Sequence, residues 1–265
     1  MSEYKVGDYD IEVIHAEMLK IMVEIDKVCR KHNIHYILDG GTMLGAVRHN
    51  GFIPWDDDAD LAMIREDYDK FVEVANTELP EGYRLECYEN TKEYPYNFGK
   101  VRATNTVFKE RLTGKLNINH GLFVDIFPMD YVDESDYRKH AKLVQHLTAI
   151  RFYKLKLYES DLTKSIKYLP FSVLSVKFIN KMIDKQMKYY FGKSDKVCKL
   201  CHFGKNKPPI DKSLFTDVID FPFEDQHFYI PKEYDAFLRG RYGDYMKLPP
   251  VEAQKPCHGG GEVRI

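Results

Sequence analysis

Three aspartates at alternate positions lead into an apolar run. Asp56 and Asp58 precede the run ADLAMI (residues 59–64), and Asp60 lies at its start. The run predicts a strand of the protein core. Because alternate residues of an extended segment project to the same face, their carboxylates are expected to lie close together. Like charges repel at such distances unless a cation lies between them. Oxygen-only ligands suit Mg²⁺, Mn²⁺ or Ca²⁺, so the sequence indicates a hard-metal site where a buried strand begins.

A glycine pair precedes the aspartates and indicates a phosphate-binding turn. The run HYIL (residues 35–38) predicts a short buried strand, and Gly40 and Gly41 follow it. Thr42 is the expected N-cap of a helical turn, TMLGAVRH, whose free N–H groups would face an anion, and Arg48 would add positive charge. Alone, the glycines are equally consistent with a tight turn. Beside a hard-metal site they favour phosphoryl-group transfer, in which positioning and charge neutralisation supply most of the catalysis.

Other kinds of site fit this pattern poorly. The sequence contains neither G-x-x-x-x-G-K-[ST] nor G-x-G-x-x-G, which excludes a Walker P-loop and a dinucleotide-binding fingerprint. In an EF-hand loop beginning at Asp56, Leu61 would occupy the glycine position and Asp67 the glutamate position, so an EF-hand is excluded. A solvated acidic turn is the remaining alternative, and the apolar strand that follows the acids disfavours it.

Another acid and two basic residues lie in other predicted strands. The run GLFVDIF, between Gly121 and Pro128, predicts a buried strand with Asp125 inside it. A carboxylate buried in this way must be paired or must coordinate a metal, and the residues alone leave a structural salt bridge open. Lys100 and Arg102 share one face of a further predicted strand, YNFGKVR, where they would either bind phosphate or form a solvated basic face.

Composition narrows the class of protein. With 265 residues, a net charge of −2 and a pI near 6.6, the chain shows no bias towards nucleic acid. No signal peptide opens the chain and no apolar run reaches the roughly 18 residues of a transmembrane helix, so we expect a cytoplasmic protein. Five irregularly spaced cysteines suit a reducing compartment. Cys198, Cys201 and His202 match a haem-attachment pattern, and Cys257 and His258 would be the distant ligands of a zinc site, but two buried thiols are the preferred interpretation.

Periodicity predicts helices near both ends of the chain and through its middle. Residues 9–32 carry apolar side chains at the spacing of an amphipathic helix. A second helix is predicted over 65–76, short strands over 83–127, and a helical segment over 134–192. Pro231 is expected to be the first residue of a last helix, YDAFLRGRY, and the glycine-rich tail HGGGEVRI is expected to be mobile.

The segment 151–205 is strongly basic. It contains thirteen Lys and Arg against four Asp and Glu, a local net charge of +9, so the remainder of the chain carries −11. Such a segment would face an anionic acceptor or a membrane surface carrying a lipid-linked glycan, and the apolar string at 168–179 would dip into the interface. A helical insertion with an ordinary lysine-coated face is the alternative, and the sequence favours it slightly.

Taken together, the motifs resemble those of a known family. Residues 36–71 are similar to the signature of the LicD-type phosphocholine transferases, a family that includes the fukutin-related sugar phosphotransferases. The resemblance continues in GKVRATNT (99–106), GLFVDIFPMD (121–130) and the segment 221–250, whereas 131–215 matches only loosely. It implies an α+β fold with a nucleotidyltransferase-like mixed sheet, flanked by helices and carrying a helical insertion.

The resemblance and the helical pattern divide the chain into three parts. We expect a nucleotidyltransferase-like catalytic core over residues 1–130 and a basic, mainly helical region over 131–215. The segment over 216–265 is expected to pack on the core and to end in the mobile tail.

The resemblance also implies roles for individual residues. Asp58, Asp60 and Asp125 would be the catalytic acids and the ligands of Mg²⁺ or Mn²⁺. Asp125 would either complete the metal site or accept the proton of the attacking hydroxyl. Residues that would bind the substrate are Gly40, Gly41, Thr42, Arg48, Lys100, Arg102 and, as an aromatic contact for the donor's head group, Tyr96.

The implied activity is transfer of phosphocholine from CDP-choline to a hydroxyl of a cell-surface glycan, such as a teichoic acid or a lipopolysaccharide, or of its lipid-linked precursor, with release of CMP. The enzyme would act in the cytoplasm, at the inner face of the membrane where the acceptor is lipid-linked. Transfer from another CDP-alcohol is one alternative. A nucleotidyltransferase that adds NMP to a small molecule and releases pyrophosphate is another. A metal-stabilised binding module without turnover is disfavoured by the intact set of acids.

Overall fold

The chain forms an α+β fold in the computed structural model, which describes residues 4–201 and 208–265. The α-helices in those residues are α1 (Ile11–His32), α2 (Gly40–His49), α3 (Arg65–Glu78), α4 (Tyr137–Lys154), α5 (Leu162–Tyr168), α6 (Val176–Met187) and α7 (Tyr234–Tyr242). The strands are β1 (Lys5–Val6), β2 (Tyr9–Asp10), β3 (Ile37–Leu38), β4 (Asp60–Ile64), β5 (Tyr83–Glu86), β6 (Gly99–Ala103), β7 (Val107–Glu110), β8 (Phe123–Tyr131), β9 (Lys196–Cys198), β10 (Ile210–Asp211), β11 (Val218–Phe223), β12 (Gln226–Pro231) and β13 (Gly259–Arg264).

A mixed sheet of seven strands lies at the centre of the fold, and β8 is its longest strand. β4 runs parallel to β8, while β6 pairs with the first half of β8 in the antiparallel sense. β3 pairs with β4 and β5 pairs with β6, both antiparallel. β9 pairs with the end of β8, and β10 extends the sheet beyond β9. The predicted α+β class with a mixed sheet flanked by helices is therefore confirmed.

Helices cover the sheet through the apolar stripes that the sequence predicted. α1 begins at Ile11 rather than at residue 9, and Ile14, Ile21 and Ile25 on its inner face have no exposed surface. Burying each of these side chains is worth about 1.5–3 kcal/mol, so the stripe holds α1 to the core. α3 runs two residues beyond the predicted end and is held by its own buried face, which includes Phe71.

A buried ion pair joins the start of α3 to the end of β8. Arg65 Nε donates to Asp130 Oδ1 at 2.8 Å, and Arg65 Nη2 lies 2.6 Å from the same oxygen. Both side chains are almost completely buried. Burial raises the pKa of Asp130 to about 7, although the Arg65 guanidinium opposes the shift. The pair fixes the helix against the sheet.

Two predictions for the C-terminal fifth of the chain were wrong. Pro231 ends β12 instead of beginning a helix, and α7 starts at Tyr234. Proline lacks an N–H group and is tolerated where a strand ends, so Pro231 does not disturb the pairing of β12 with β11. The tail that was expected to be mobile forms β13, which pairs with β7 in the antiparallel sense. β7 thereby gains partners for backbone groups that an open edge would leave unpaired.

The region 131–215 contains strands as well as helices. α4, α5 and α6 lie in it, as the helical pattern predicted. β9 and β10 also lie in it, and they extend the central sheet. Because β8 crosses residue 130 and pairs with β9, the sheet spans the expected boundary. The division into three parts stays a prediction.

The described residues also show the state of the cysteines and the lack of a membrane-spanning helix among them. Among residues 4–201 and 208–265, no helix combines the length and the apolar character needed to cross a membrane. The five cysteines all lie in those ranges, and no disulfide joins any of them. Cys198 and Cys201 are buried, as the preferred interpretation held, and burial raises the pKa of Cys198 to about 12. His202 lies outside the described residues.

Candidate active site

One row of charged side chains crosses three neighbouring strands of the sheet. Asp60 on β4 is the register partner of Asp125 on β8, and Asp125 is in turn the register partner of Lys100 on β6. Directly opposed residues of paired strands present their side chains to the same face of the sheet. Strand pairing therefore brings together two of the predicted catalytic acids and one predicted substrate-binding residue.

Asp125 and Lys100 form the buried centre of this row. Lys100 Nζ lies 2.6 Å from Asp125 Oδ1 and 3.3 Å from Glu110 Oε1. It also lies 3.4 Å from the centroid of the Phe123 ring. Burial raises the pKa of Asp125 above its ordinary value, although the Lys100 ammonium opposes the shift. One cation is thus shared by two carboxylates, and Glu110 was not predicted from the sequence.

Asp56, Asp58 and Asp60 complete the acid cluster. Burial, followed by the charge of Asp56, raises the pKa of Asp58 to about 7. The carboxyl of Asp56 hydrogen-bonds that of Asp58, and burial raises the pKa of Asp56 to about 6. The pKa of Asp60 is raised well above its ordinary value by burial and by the charge of Asp58. Like charges gathered in this way favour a bound proton or a bound cation.

One oxygen of Asp60 has no donor in the described part of the chain. Its Oδ1 atom is buried and accepts no hydrogen bond from those residues. Leaving a buried charged acceptor unsatisfied costs free energy that a cation would offset. Aspartate oxygens are the ligands that Mg²⁺ and Mn²⁺ prefer in proteins. The donor chemistry of the cluster therefore fits a hard divalent cation.

The buried carboxylate of Asp57 fastens the C-terminal segment beside these acids. Asp57 Oδ1 accepts hydrogen bonds from the backbone N–H groups of Cys257 at 2.9 Å and of His258 at 3.1 Å. His258 Nδ1 lies 3.2 Å from Asp57 Oδ1, and His258 Nε2 lies 3.3 Å from Asp58 Oδ2. The hydrogen bond to Asp57 is the main cause of a raised pKa of His258, so the imidazolium form is favoured.

Ligand atoms in this part of the molecule are unevenly spaced. Among the described residues, one group of three His, Cys, Asp or Glu side chains has its ligand atoms all within 4.8 Å of one another, and its members are Asp57, Cys257 and His258. The three predicted metal ligands are not gathered so closely. Asp125 instead pairs with Lys100, and Asp58 pairs with His258. Their fit to a cation thus rests on their chemistry rather than on preformed distances.

Gly40 and Gly41 begin α2 directly beside the acids. A Cβ atom at Gly40 would lie 2.9 Å from Asp60 Oδ2, and one at Gly41 would overlap Asp56 Oδ2. Gly40 also has a φ of +56°, a conformation that residues with a Cβ rarely adopt. Glycine is therefore required here for the helix start to approach the carboxylates. Whether its N–H groups also hold a phosphate stays a prediction.

Thr42 and Arg48 have roles that the sequence did not reveal. Asp39, and not Thr42, is the N-cap of α2, so that prediction was wrong. Thr42 lies inside the helix, where its Oγ1 accepts a hydrogen bond from the N–H of Asp60 at 2.8 Å. Arg48 lies about 12 Å further along the helix axis than the first residue. There its Nη1 donates to the carbonyl of Tyr245 at 3.0 Å.

Two cations from the C-terminal half reach the start of α2. Asp39 is buried and pairs with Lys199 and with Arg241, whose Nη1 lies 2.6 Å from Asp39 Oδ1. Burial opposes ionisation of Asp39, but Lys199 and Arg241 hold its pKa below the ordinary value. The charge of Lys199 also opposes the rise in the pKa of Asp60. No local spacing connects these cations with the acids, so they could not be predicted from the sequence.

Arg102 and Tyr96, both predicted to bind substrate, have their polar groups engaged within the protein. Arg102 is fully buried, and it donates to the carbonyl of Gly121 at 2.8 Å and to Glu110 Oε2 at 3.2 Å. The hydroxyl of Tyr96 donates to Glu110 Oε1 at 3.0 Å. Its ring lies 4.9 Å from Lys100 Nζ, so a protein ammonium already occupies the aromatic surface that was predicted to contact the donor's head group.

Comparisons with known proteins relate the chain to one family. The family model described as LicD/FKTN/FKRP, nucleotidyltransferase domain, matches residues 33–181. The lipopolysaccharide cholinephosphotransferase LicD of Haemophilus influenzae is 32% identical to the chain over 249 residues, which is 91% of this chain and 92% of that protein. An uncharacterised protein of Rickettsia typhi is 36% identical over 86 residues, 32% of this chain and 28% of its own. Another, from Rickettsia prowazekii, is 30% identical over 129 residues, 48% of this chain and 47% of its own.

The family model covers more than half of the chain and includes Asp58, Asp60, Lys100 and Asp125. The similarity to the Haemophilus protein covers almost the whole length of both chains. On these grounds the chain belongs to the LicD family.

Proposed function

We propose that the chain transfers phosphocholine from CDP-choline to a hydroxyl of a cell-surface glycan, or of its lipid-linked precursor, and releases CMP. The observation that carries the proposal is the row of Lys100, Asp125 and Asp60 across three strands, in a chain similar over 91% of its length to a lipopolysaccharide cholinephosphotransferase. Carboxylates beside buried cations suit phosphoryl transfer, in which the protein positions the reactants and neutralises charge.

Asp58, Asp60 and Asp125 would hold Mg²⁺ or Mn²⁺. Bound there, the cation would neutralise negative charge on the donor's diphosphate and on the departing CMP. The unsatisfied Oδ1 atom of Asp60 supports this assignment. The raised pKa values of Asp58 and Asp60 support it too, because a cation would replace the protons that these acids otherwise retain.

Protein cations and the start of α2 would position the donor. Lys199 and Arg241 are anchored by Asp39 next to the acid cluster, where they would attract the diphosphate. Gly40 and Gly41 would let the N–H groups at the helix start approach the same anion. These contacts would hold the donor while the bond between phosphorus and CMP breaks.

The other predicted substrate-binding residues are assigned mainly to positioning. Arg102 and Tyr96 both bind Glu110, which in turn contacts Lys100, so they would hold the buried cation in place. Thr42 would fix the start of β4 through its bond to the backbone of Asp60. Arg48, at the far end of α2, is retained as a proposed substrate-binding residue.

The reaction would proceed by attack of the acceptor's hydroxyl oxygen on the phosphorus that carries choline. The new phosphorus–oxygen bond forms as the bond to the CMP oxygen breaks, and the hydroxyl proton passes to a carboxylate. Asp125 is the proposed acceptor of that proton or, alternatively, a metal ligand. The Lys100 ammonium, 2.6 Å away, favours the ionised form of Asp125 that either role requires.

We also propose that the reaction takes place in the cytoplasm, at the inner face of the membrane when the acceptor is lipid-linked. The lack of any disulfide among the five cysteines, all of which lie in the described ranges, supports a reducing compartment.

A panel of CDP-alcohols with Mg²⁺ and a glycan acceptor tests the donor and the reaction together. CDP-choline, CDP-glycerol and CDP-ribitol are supplied in parallel, CMP is measured by chromatography, and the new phosphodiester by phosphorus NMR. The proposal predicts Mg²⁺-dependent release of CMP with CDP-choline as the fastest donor. Faster turnover of CDP-glycerol or CDP-ribitol would reassign the head group. A lack of turnover with every donor would favour a binding module.

A nucleotidyltransferase is the second candidate, and the nucleotidyltransferase domain named in the matching family model favours it. In that reaction the attack is on the α-phosphorus of a nucleoside triphosphate. Pyrophosphate would then be released in place of CMP. Incubation with CTP and phosphocholine, followed by a pyrophosphate assay, decides between the two.

A further inference from the structure

An apolar ridge lies on the surface of the helical region. α5 and the 3-10 helix that follows it directly, Leu169–Val173, expose four large apolar side chains. Phe178 on α6 is a fifth and is 49% exposed. The first four, with their exposed fractions, are Leu162 (73%), Ile166 (62%), Leu169 (57%) and Val173 (86%). These five side chains are called the apolar ridge below.

The ridge is not needed to hold its own helices on the protein. Tyr168, between two members of the ridge, is buried, and so are Ile179 and Ile183 on α6. The segment therefore already has an inward apolar face. Exposing the large apolar side chains of the ridge on the outward face costs free energy in water. Such a patch marks a surface that a binding partner covers.

Lysines border the ridge, and one of them, Lys164, pairs with Asp161 at the start of α5 at 2.9 Å. Residues 162–181 contain four lysines and no Asp or Glu. Lys164 and Lys167 lie on α5, and Lys177 and Lys181 lie exposed on α6. A helical segment with outward apolar side chains and flanking lysines is typical of proteins that lie in the interface of an anionic membrane. The apolar side chains enter the acyl boundary, and the lysines contact the head groups.

A cleft opens beside α6. It has a volume of about 780 Å³, and its walls are α6, the end of α4 and residues 88–94. Lys177 and Lys181 line it. The chain then continues from residue 94 to Tyr96, whose ring contacts Lys100. A membrane that covers the ridge would therefore lie beside this cleft, which Lys177 and Lys181 share.

We propose that the apolar ridge and its flanking lysines dock the protein on a membrane surface rich in anionic phospholipid. The area is apolar where acyl chains would lie and positive where head groups would lie, which is the complementarity that such a surface requires. The inference goes beyond phosphocholine transfer, since docking needs neither donor nor acceptor.

Vesicle co-sedimentation of the full chain tests the proposal. The vesicles contain equal parts phosphatidylglycerol and phosphatidylcholine, or phosphatidylcholine alone. Val173→Asp places a charge in the ridge, and Val251→Asp is the matched control because Val251 is 73% exposed in another part of the chain. Lys177→Glu with Lys181→Glu removes the flanking charge. Thermal melting checks that each variant is folded, and sedimentation velocity without lipid measures self-association.

The proposal predicts that the unmodified protein binds the anionic vesicles and that added salt weakens this binding. Val173→Asp should lower the partition coefficient about tenfold or more, and Val251→Asp should leave it unchanged. The double lysine variant should lose binding to the anionic vesicles. Failure of the unmodified protein to bind, or equal binding by Val173→Asp, would overturn the proposal. So would a lipid-free dimer that Val173→Asp dissociates, because the ridge would then be an interface between copies of this chain.

Release of CMP from CDP-choline with a water-soluble acceptor separates this inference from the proposed function. Val173→Asp should retain that activity, because the ridge lies outside the acid cluster. If no CMP is released by the unmodified protein but the vesicles bind it, the proposed function fails and the docking surface stands.

Discussion

Strand β8 carries two buried aspartates five residues apart, and their surroundings differ. Asp130 pairs with Arg65, which offers two nitrogen atoms to one carboxylate oxygen. Asp125 shares its cation, Lys100, with Glu110, and it stands in register with Asp60. Arg65 also reaches Asp69, a partly exposed acid, with its Nη1 atom 3.2 Å from Asp69 Oδ1. The first acid therefore pairs with a guanidinium through two nitrogen atoms at close range, whereas the second lies where buried carboxylates are crowded.

An unsatisfied oxygen does not by itself distinguish Asp130 from the acids of the cluster. Asp130 Oδ2 lacks a hydrogen-bond donor among the described residues, as does Asp60 Oδ1. These acids differ instead in their exposure to solvent and in the charge of their neighbours. The Asp130 side chain is 0% exposed, while that of Asp58 in the acid cluster is 19% exposed. A buried, paired acid stabilises a fold, whereas crowded acids that solvent can reach are suited to a cation or a substrate.

Asp125→Asn should have the largest effect on activity, and Asp60→Asn should match it. Loss of one charge that holds the cation is expected to lower kcat/KM at least about 1,000-fold, or about 4 kcal/mol in the transition state. The melting temperature should fall little, because Glu110 still pairs with Lys100 in Asp125→Asn and because repulsion among the remaining carboxylates is relieved. Near-normal turnover in either variant would remove that residue from the catalytic set.

Asp130→Asn should show the opposite pattern. It leaves the buried Arg65 guanidinium with only the partly exposed Asp69 as a carboxylate partner, so the free energy of unfolding should fall by about 3 kcal/mol. Turnover per folded molecule should remain close to normal, since the pair lies at the other end of β8. Denaturant unfolding and active-site titration measure the two quantities. A stable but inactive variant would show that the two ends of the strand are not distinct in function.

Glu110→Gln should lower kcat about 10- to 100-fold, because the ion pair that positions Lys100 is lost. The KM for CDP-choline should remain nearly unchanged. Glu134→Gln is the matched control, because Glu134 is 64% exposed beyond the end of β8. Steady-state kinetics of the two variants make the comparison. If the KM rises while kcat is kept, Glu110 acts in donor binding and not through Lys100.

The stability of the metal-free protein should fall as the pH rises from about 4 to about 7. The pKa of Asp58 is raised from 3.8 to about 7, so the folded state retains a proton that the unfolded state releases. The contribution of this group to stability is then present at low pH and lost as the pH passes through the raised pKa. Melting curves should show a smaller decline for Asp58→Asn and after addition of Mg²⁺. Equal slopes in all samples would mean that Asp58 titrates normally.

Tyr96→Phe should have the smallest effect. The ring that contacts Lys100 is kept, and only the hydrogen bond to Glu110 is lost, which costs about 1 kcal/mol. Because the ring faces a protein ammonium, turnover of CDP-choline and CDP-glycerol should fall by the same factor. A loss confined to CDP-choline would instead support the predicted head-group contact.

Local patterns predicted the parts of the molecule that depend on neighbouring residues. The stripe of α1 and the strand at 60–64 follow from periodicity, and the row of Asp60, Asp125 and Lys100 follows from alternation once the strands are paired. The N-cap of α2 was missed because Asp39 occupies that position without a side-chain capping bond, its carboxylate being paired with the distant Lys199 and Arg241.

Long-range partners escaped prediction for a physical reason. Lys199 and Arg241 reach Asp39, and Asp57 fastens His258, from positions far away in the chain. A charge pair between distant residues leaves no spacing in the sequence. The same holds for β13. Its glycines predict a mobile tail, but its backbone pairs with β7, a strand far away in the sequence.

Asp60 and Asp125 are proposed to hold a divalent cation for the transfer reaction. Electron paramagnetic resonance of Mn²⁺ in the presence of CDP-choline measures this directly, for the unmodified protein, Asp60→Asn and, as an exposed control, Asp225→Asn. The unmodified protein and Asp225→Asn should bind Mn²⁺ equally, Mg²⁺ should displace it, and Asp60→Asn should weaken binding about tenfold or more. Equal Mn²⁺ affinity in Asp60→Asn, or no Mn²⁺ bound by the unmodified protein, would contradict this proposal.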